Sequence, residues 1–131
     1  MSAAPGVGET RIRVLLADDA KPYRALLRLV LEQDGRFAIV GEADDGAQAV
    51  QLSDAERPDV LLLDLAMPVM DGLQAIPEVR TRSPETKIVV LSGFAQNRLG
   101  EKAASMGASA YLEKGSSPET IAQTLVEVSE N

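Results

Sequence analysis

The sequence predicts an α/β domain in which helices pack on a parallel β-sheet. Short apolar runs of strand length alternate along the chain with longer amphipathic stretches of helical periodicity, which is the pattern of repeated βα units. A length of 131 residues suits one domain with a substantial core. We expect residues 11–131 to form this domain and residues 1–10, a small Gly- and Pro-containing segment, to be a disordered lead-in.

The strands and helices can be assigned in order along this alternation. Strands are predicted at 12–17, 38–42, 60–63, 87–91 and 109–113. Helices are predicted at 21–33, 46–56, 72–82, 96–106 and from 118 onward. Gly35 and Gly107 follow the first and fourth helices, where glycine is a usual C-terminal stop. Ser117 followed by Pro118 is a strong helix start, because serine caps the helix and proline fits its first turn.

Two further details of the helices are predicted from local pattern alone. The first helix is expected to bury the apolar side chains that recur at helical spacing, which are Leu26, Leu27, Val30 and Leu31. Pro77 lies inside the third helix and is expected to kink it or to shorten its first half, since an interior proline costs about 3 kcal/mol.

Composition excludes several classes of function. The chain has no cysteine and no histidine, which excludes disulfides, cysteine nucleophiles, Ser-His-Asp triads and typical zinc sites. Its net charge of -7 disfavours nucleic-acid binding, which needs a basic face. No apolar run reaches membrane-spanning length and the N-terminus lacks the regions of a signal peptide, so a cytoplasmic location is expected.

Polar and charged residues follow the predicted strands at their carboxyl ends. Asp18 and Asp19 follow the first strand, Asp64 the third, Ser92 the fourth and Lys114 the fifth. In a parallel sheet these ends share one edge, where ligands bind. The sequence therefore gathers carboxylates, a hydroxyl and an ammonium in one acidic pocket.

The chemistry of such a pocket follows from its charges. Carboxylates this close repel one another, and burial raises the cost of their charge. A hard divalent cation relieves the repulsion, and carboxylate oxygens with water are the ligands that Mg²⁺ prefers. A pocket of this kind can accept a phosphoryl group on one carboxylate, with metal and ammonium neutralising the transferred oxygens. The expected cofactor is Mg²⁺, with Mn²⁺ as a substitute.

The order and spacing of these residues resemble those of the receiver domain of bacterial response regulators. The similarity rests on Asp18-Asp19 after the first strand, Asp64-Leu65-Ala66-Met67-Pro68-Val69-Met70-Asp71-Gly72 after the third, Leu91-Ser92-Gly93 after the fourth and Tyr111-Leu112-Glu113-Lys114 after the fifth. It covers the chain from about residue 11 to the C-terminus. The resemblance implies a flavodoxin-like fold with five parallel strands in the order 2-1-3-4-5.

The resemblance also implies which residues take the phosphoryl group and hold the metal. Asp64 would be the phospho-acceptor and would also contact the metal. Asp18 and Asp19 would be metal-site acids, with Asp19 the more direct ligand. The backbone carbonyl of Ala66 would complete the protein ligands.

Further residues would bind the phosphoryl group or transmit its arrival. Lys114 would bridge to the phosphate and Ser92 would hydrogen-bond it, while Tyr111 would be an aromatic switch whose position follows Ser92. Ala66 and Phe94 lie two positions beyond the acceptor and the serine, so both should border the phosphoryl group. Neither side chain can orient a hydrolytic water, so both are expected to lengthen the lifetime of the phosphorylated state.

On this resemblance the chain is a phosphorylation-controlled switch and not an enzyme, beyond its own phosphorylation and dephosphorylation. A sensor histidine kinase or phosphotransfer protein would donate the phosphoryl group. The output surface would comprise the fourth helix, fifth strand and fifth helix, facing a downstream protein, an output domain or a second copy of the chain. Neither a membrane nor nucleic acid is an expected partner of this domain. Two alternatives stay open: a degenerate, phosphorylation-independent interaction module, and a receiver cut from a DNA-binding regulator.

Two other classes of protein are disfavoured because the chain lacks residues that they require. A phosphatase with an aspartate nucleophile would need a second acid two residues later, where Ala66 stands. A flavin-binding electron carrier of the same topology would need a phosphate-binding loop after the first strand, where Asp18 and Asp19 would repel the phosphate.

Each site residue also has a simpler structural explanation. Asp18, Asp19 and Asp71 are favoured types for helix caps, and Asp71 is otherwise a further candidate for the acidic pocket. Asp64 alone could be a turn residue. Lys114 could be a solvated surface lysine, and Tyr111 could be a half-buried strand residue.

Overall fold

The computed structural model describes residues 11–93 and 98–131. At Arg98 it describes the backbone alone. Its strands are β1 (Ile12–Ala17), β2 (Phe37–Ala43), β3 (Val60–Leu63), β4 (Lys87–Ser92) and β5 (Ala110–Glu113). Its helices are α1 (Lys21–Asp34), α2 (Gly46–Glu56), α3 (Gly72–Arg82), α4 (Arg98–Met106) and α5 (Pro118–Ser129). The described strands form one parallel sheet in the order β2-β1-β3-β4-β5. The predicted fold class and strand order are confirmed.

The sheet separates two apolar layers. On one face, Leu61, Leu63 and Val90 pack with buried residues of α2, α3 and α4. On the other face, Leu62 and Val89 pack with buried residues of α1 and α5. All of β3 is buried, as expected of a central parallel strand covered by helices on both sides. The carboxyl ends of β1 and β3 therefore emerge side by side between the two layers of helices.

Glycine and polar caps end and begin the helices much as predicted. Gly35 and Gly107 follow α1 and α4 with φ of 88° and 119°, in the left-handed region that favours glycine. Ser117 caps α5 by accepting a hydrogen bond from the Thr120 amide. The described part of α4 runs from Arg98 to Met106, and the predicted start at residue 96 lies outside the described residues.

Two predictions about the helices are wrong in part. Leu27 and Leu31 are buried against the sheet as predicted, but Leu26 is 54% exposed and Val30 is only partly buried. Pro77 does not shorten α3, which runs from Gly72 to Arg82, and the alternative of a kink stays a prediction. Since Pro77 lies on the exposed side of the helix, water can hydrate the carbonyl that loses its donor.

Candidate functional site

Three acids meet at the carboxyl ends of β1 and β3. Asp18 and Asp64 are 3% and 4% exposed, whereas Asp19 is exposed. The backbone amide of Asp64 donates to the carbonyl of Ala17 at 2.9 Å, which joins the two strand ends. In the part of the chain that the structure describes, Asp18, Asp19 and Asp64 each offer a carboxylate oxygen within 4.8 Å of the others. The predicted acidic pocket is therefore present.

Lys114 reaches into this pocket from the loop after β5. Its Nζ lies 2.7 Å from Oδ2 of Asp18 and 3.4 Å from Oδ2 of Asp64. Its backbone amide donates to the carbonyl of Ser92 at 2.8 Å, which fixes the loop against the end of β4. The side chain is only 26% exposed, so Lys114 is not a solvated surface lysine.

The charges in the pocket perturb one another. Burial, followed by the negative charge of Asp18, raises the pKa of Asp64, although Lys114 opposes this. Burial by itself would lower the pKa of Lys114, but its hydrogen bond to Asp18 and the charge of Asp64 raise it overall. Lys114 is therefore firmly cationic, and the carboxylate of Asp64 carries an unfavourable charge that further positive charge would relieve.

The donor set suits a hard divalent cation. All side-chain donors in the cluster are carboxylate oxygens, the ligand type that Mg²⁺ prefers. Asp18 already accepts at both oxygens, Oδ1 from the Ala20 amide at 2.8 Å and Oδ2 from Lys114. The exposed carboxylate of Asp19 and that of Asp64 are thus better placed than Asp18 to contact a cation directly.

The helix-cap explanation fails for the paired acids and holds for Asp71. The N-cap of α1 is Ala20, which makes no side-chain cap hydrogen bond. Asp71 instead caps α3 in a reciprocal capping box with Gln74. Asp71 is exposed and lies outside the acidic cluster, so its candidacy for the pocket is wrong.

Ser92 and Tyr111 lie on neighbouring strands. Ser92 is fully buried at the end of β4, and Tyr111 pairs in register with Val90, two residues earlier on that strand. Tyr111 is 8% exposed, more buried than the simple strand explanation expects. It borders a cavity of about 150 Å³ between α4 and β5 that is lined by Gly100, Ala104, Ala108, Ser109 and Ala110. The small side chains around this cavity leave space beside the ring.

The remaining predicted site residues are Ala66 and Phe94. Ala66 is exposed, and its backbone amide approaches Oδ1 of Asp64 at 3.3 Å. This hydrogen bond places the Ala66 backbone beside the Asp64 carboxylate. Phe94 lies outside the described residues.

The sequence did not predict that two residues in the first turn of α1, Tyr23 and Arg24, contact the site. The hydroxyl of Tyr23 donates to the carbonyl of Lys114 at 3.3 Å, and the Lys114 Nζ lies 4.8 Å from the centroid of the Tyr23 ring, within cation–π range. Arg24 donates to the carbonyl of Asp18 at 2.5 Å. The available signal was position alone, because a helix that starts directly after the acids presents its first turn to the pocket.

Gly72 is required where α3 begins behind Asp64. A Cβ at this position would lie 2.4 Å from the carbonyl oxygen of Asp64 and 2.7 Å from the Cα of Leu65. Both obstacles are backbone atoms, which cannot rotate aside. Only glycine therefore lets the start of α3 pack this closely against the acid's own backbone.

Comparison with known proteins agrees with this geometry. The response regulator receiver domain family model matches residues 14–126. The chain is 37% identical over 113 residues to the transcriptional regulatory protein YdfI of Bacillus subtilis. The aligned residues cover 86% of this chain and 53% of that protein. The receiver domain of the response regulator NarL from Mycobacterium tuberculosis superposes with a TM-score of 0.88 at 34% identity, covering 92% of this chain and 98% of that one.

A further similar solved structure contains a phosphorylated aspartic acid. It is a response regulator protein from Burkholderia pseudomallei with a phosphorylated aspartic acid, a calcium ion and citrate. The TM-score is 0.80 at 29% identity, with coverage of 90% of this chain and 69% of that one.

The match across most of the chain settles the class of protein. The chain belongs to the response regulator receiver domain family of two-component signalling systems. It spans about half the length of most of the curated relatives it matches. No helix within residues 11–93 and 98–131 is long and apolar enough to cross a membrane.

Proposed function

We propose that Asp64 accepts a phosphoryl group from a histidine kinase or phosphotransfer protein and that Mg²⁺ is required for the transfer. One observation carries this proposal. Asp18, Asp19 and Asp64 bring carboxylate oxygens within 4.8 Å of one another, and Lys114 contacts Asp18 and Asp64. The aspartyl phosphate in the Burkholderia pseudomallei relative supports the same chemistry here.

Each residue has a distinct role in this proposal. Asp19, Asp64 and the Ala66 carbonyl would hold the cation, while Asp18 acts mainly through its charge and its contact with Lys114. A bound cation would neutralise charge on the transferred oxygens. Lys114, released from Asp64, would pair with a phosphoryl oxygen. This division of roles predicts that Asp19 matters more to metal affinity than Asp18.

The output would be a change at the surface formed by α4, β5 and α5. The hydroxyl of Ser92 would donate a hydrogen bond to a phosphoryl oxygen, and Tyr111 would move in response. The cavity beside Tyr111 supports this role, because the ring has neighbouring space. That surface would then bind an output domain, a downstream protein or a second copy of the chain. The intact set of acids and lysine argues against a degenerate receiver.

Labelling with acetyl phosphate tests the proposal. Intact mass should increase by one phosphoryl group when Mg²⁺ or Mn²⁺ is present, and should not change in EDTA. Asp64→Asn should abolish the increase because the nucleophile is gone. Asp71→Asn is the matched control, since it alters an exposed acid of the same loop outside the cluster. Equal labelling of wild type and Asp64→Asn would refute the assignment of the acceptor.

A further inference from the structure

A chain of charged side chains braces the turn that carries the paired acids. Arg24 is in the first turn of α1, and its Nη1 donates to the main-chain carbonyl of Asp18 at 2.5 Å. Its Nε donates to Oε1 of Glu42, near the end of β2, at 2.7 Å. The Arg24 side chain is only 11% exposed. The guanidinium therefore links the turn after β1 to the neighbouring edge strand.

Glu42 is itself held from a second side. Nη1 of Arg28, one helical turn after Arg24, lies 2.6 Å from Oε2 of Glu42. The bond from Nε to Oε1 orients the Arg24 guanidinium toward the Asp18 carbonyl, whereas Arg28 binds the other oxygen of Glu42.

The turn needs such a brace because α1 begins without a side-chain cap. Its N-cap is Ala20, which has no cap hydrogen bond. The backbone of Asp18 is held on one side by its amide, which donates to the Ala43 carbonyl at 3.0 Å. Arg24 holds the carbonyl on the other side, immediately before Asp19. Loss of Arg24 would remove the hydrogen bond to this carbonyl, which belongs to the peptide between the two acids.

We propose that Arg24 is a positioning residue that fixes the Asp18–Asp19 turn so that both carboxylates are held ready for the cation. It touches neither the cation nor the phosphoryl group and acts through the backbone of Asp18. This inference rests on the proposed function, because it assigns a determinant of metal affinity at that same site.

The sign of one mutational effect separates positioning from simple electrostatics. Arg24→Gln removes a positive charge near an acidic cluster, so charge alone would tighten Mg²⁺ binding. If Arg24 positions the turn, the same change should weaken binding, because the outer partners of metal ligands typically contribute 10- to 100-fold to affinity. We expect Arg24→Gln to bind Mg²⁺ about 10-fold more weakly than wild type.

Mg²⁺ titrations followed by NMR test this, with Arg28→Gln as the matched control. Arg28 carries the same charge, but its ion pairs are with Glu42 and Glu32 and not with the acidic turn in the described part of the chain, so its loss should leave affinity unchanged or slightly tighter. Arg24→Lys should bind Mg²⁺ with intermediate affinity. A lysine ammonium can reach either Glu42 or the Asp18 carbonyl, but it lacks the planar guanidinium that donates to both at once. Unchanged or tighter binding by Arg24→Gln, or equal weakening by both Gln variants, would overturn the proposal.

A metal-free measurement keeps the two proposals apart. Hydrogen exchange at the Ala20 amide, which donates to Oδ1 of Asp18, should be faster in Arg24→Gln than in Arg28→Gln, with urea unfolding measured alongside. If wild type bound no Mg²⁺, the proposed function would fail. The exchange rate at Ala20 would still show whether Arg24 holds the Asp18–Asp19 turn in place. Equal exchange at Ala20 in wild type and Arg24→Gln would contradict the positioning role directly.

Discussion

Replacing Asp64 with asparagine should stabilise the metal-free protein at neutral pH. The Asp64 charge meets the Asp18 carboxylate within 4.8 Å, a repulsion of roughly 3 kcal/mol at an effective dielectric constant of about 20. Lys114 at 3.4 Å offsets this by roughly 5 kcal/mol, and burial of the ion costs several kcal/mol more. The balance makes the charge unfavourable, so Asp64→Asn should gain on the order of 1 kcal/mol of unfolding free energy.

The pH dependence of this gain follows from the raised pKa of Asp64. A carboxyl group whose pKa is higher in the folded than in the unfolded state favours folding below its unfolded value of 3.8, and this benefit is lost as pH rises through the folded pKa. The difference between wild type and Asp64→Asn should therefore be small near pH 4 and widen toward neutrality. Urea unfolding of both proteins in EDTA across this range measures it.

Mg²⁺ should reverse the order of stability. A cation at a hundredfold excess over its Kd would stabilise wild type by about 2.7 kcal/mol, while Asp64→Asn, which lacks a ligand charge, should gain much less. Asp71→Asn should behave like wild type under both conditions, because asparagine is as good a helix cap as aspartate. A wild type that is more stable than Asp64→Asn in EDTA at pH 7 would show that the Asp64 charge is not unfavourable, and equal stabilisation of both proteins by Mg²⁺ would show that Asp64 is not a metal ligand.

Three further outcomes are expected. Beryllofluoride, standing in for the phosphoryl group, should shift NMR amide resonances at Tyr111 and along 98–106; shifts confined to the acidic pocket would count against a switch. The double variant Ala66→Asn, Phe94→Glu should lose its phosphoryl group faster after removal of acetyl phosphate, because polar side chains could orient a hydrolytic water; decay no faster than wild type would reject this. Val69→Gly should raise the unfolding free energy by roughly 0.5–1 kcal/mol, since Val69 has φ of 67° and an 84% exposed side chain; a lower urea midpoint would contradict it.

Elements with strong local signals could be predicted from the sequence. The four apolar residues of β3 and the glycine after α1 are local signals with few other structural interpretations. The predicted strand at 60–63 and the predicted helix end at Gly35 therefore agree with the structure. The acidic pocket was predictable because a parallel sheet brings its carboxyl ends to one edge, so that Asp18, Asp64 and Lys114 meet although Asp64 and Lys114 are 50 residues apart.

Contacts that depend on tertiary packing could not be predicted. Periodicity marked Leu26 and Leu27 alike, and only the docking of α1 on the sheet decides that Leu26 faces outward. The contact of Tyr23 with the Lys114 carbonyl joins residues 91 positions apart. Arg24 meets Glu42 because β2 pairs beside β1, and neither residue type signals that role on its own.

Locating the phosphoryl group within the chain shows directly whether Asp64 is the phospho-acceptor. Protein treated with acetyl phosphate and Mg²⁺ would be reduced with sodium borohydride, which converts an aspartyl phosphate to homoserine, and its peptides would be sequenced by mass spectrometry. We expect homoserine at position 64 and at no other acid of the pocket, and none in EDTA. Homoserine at position 18 or 19, or unmodified Asp64 in phosphorylated protein, would contradict it.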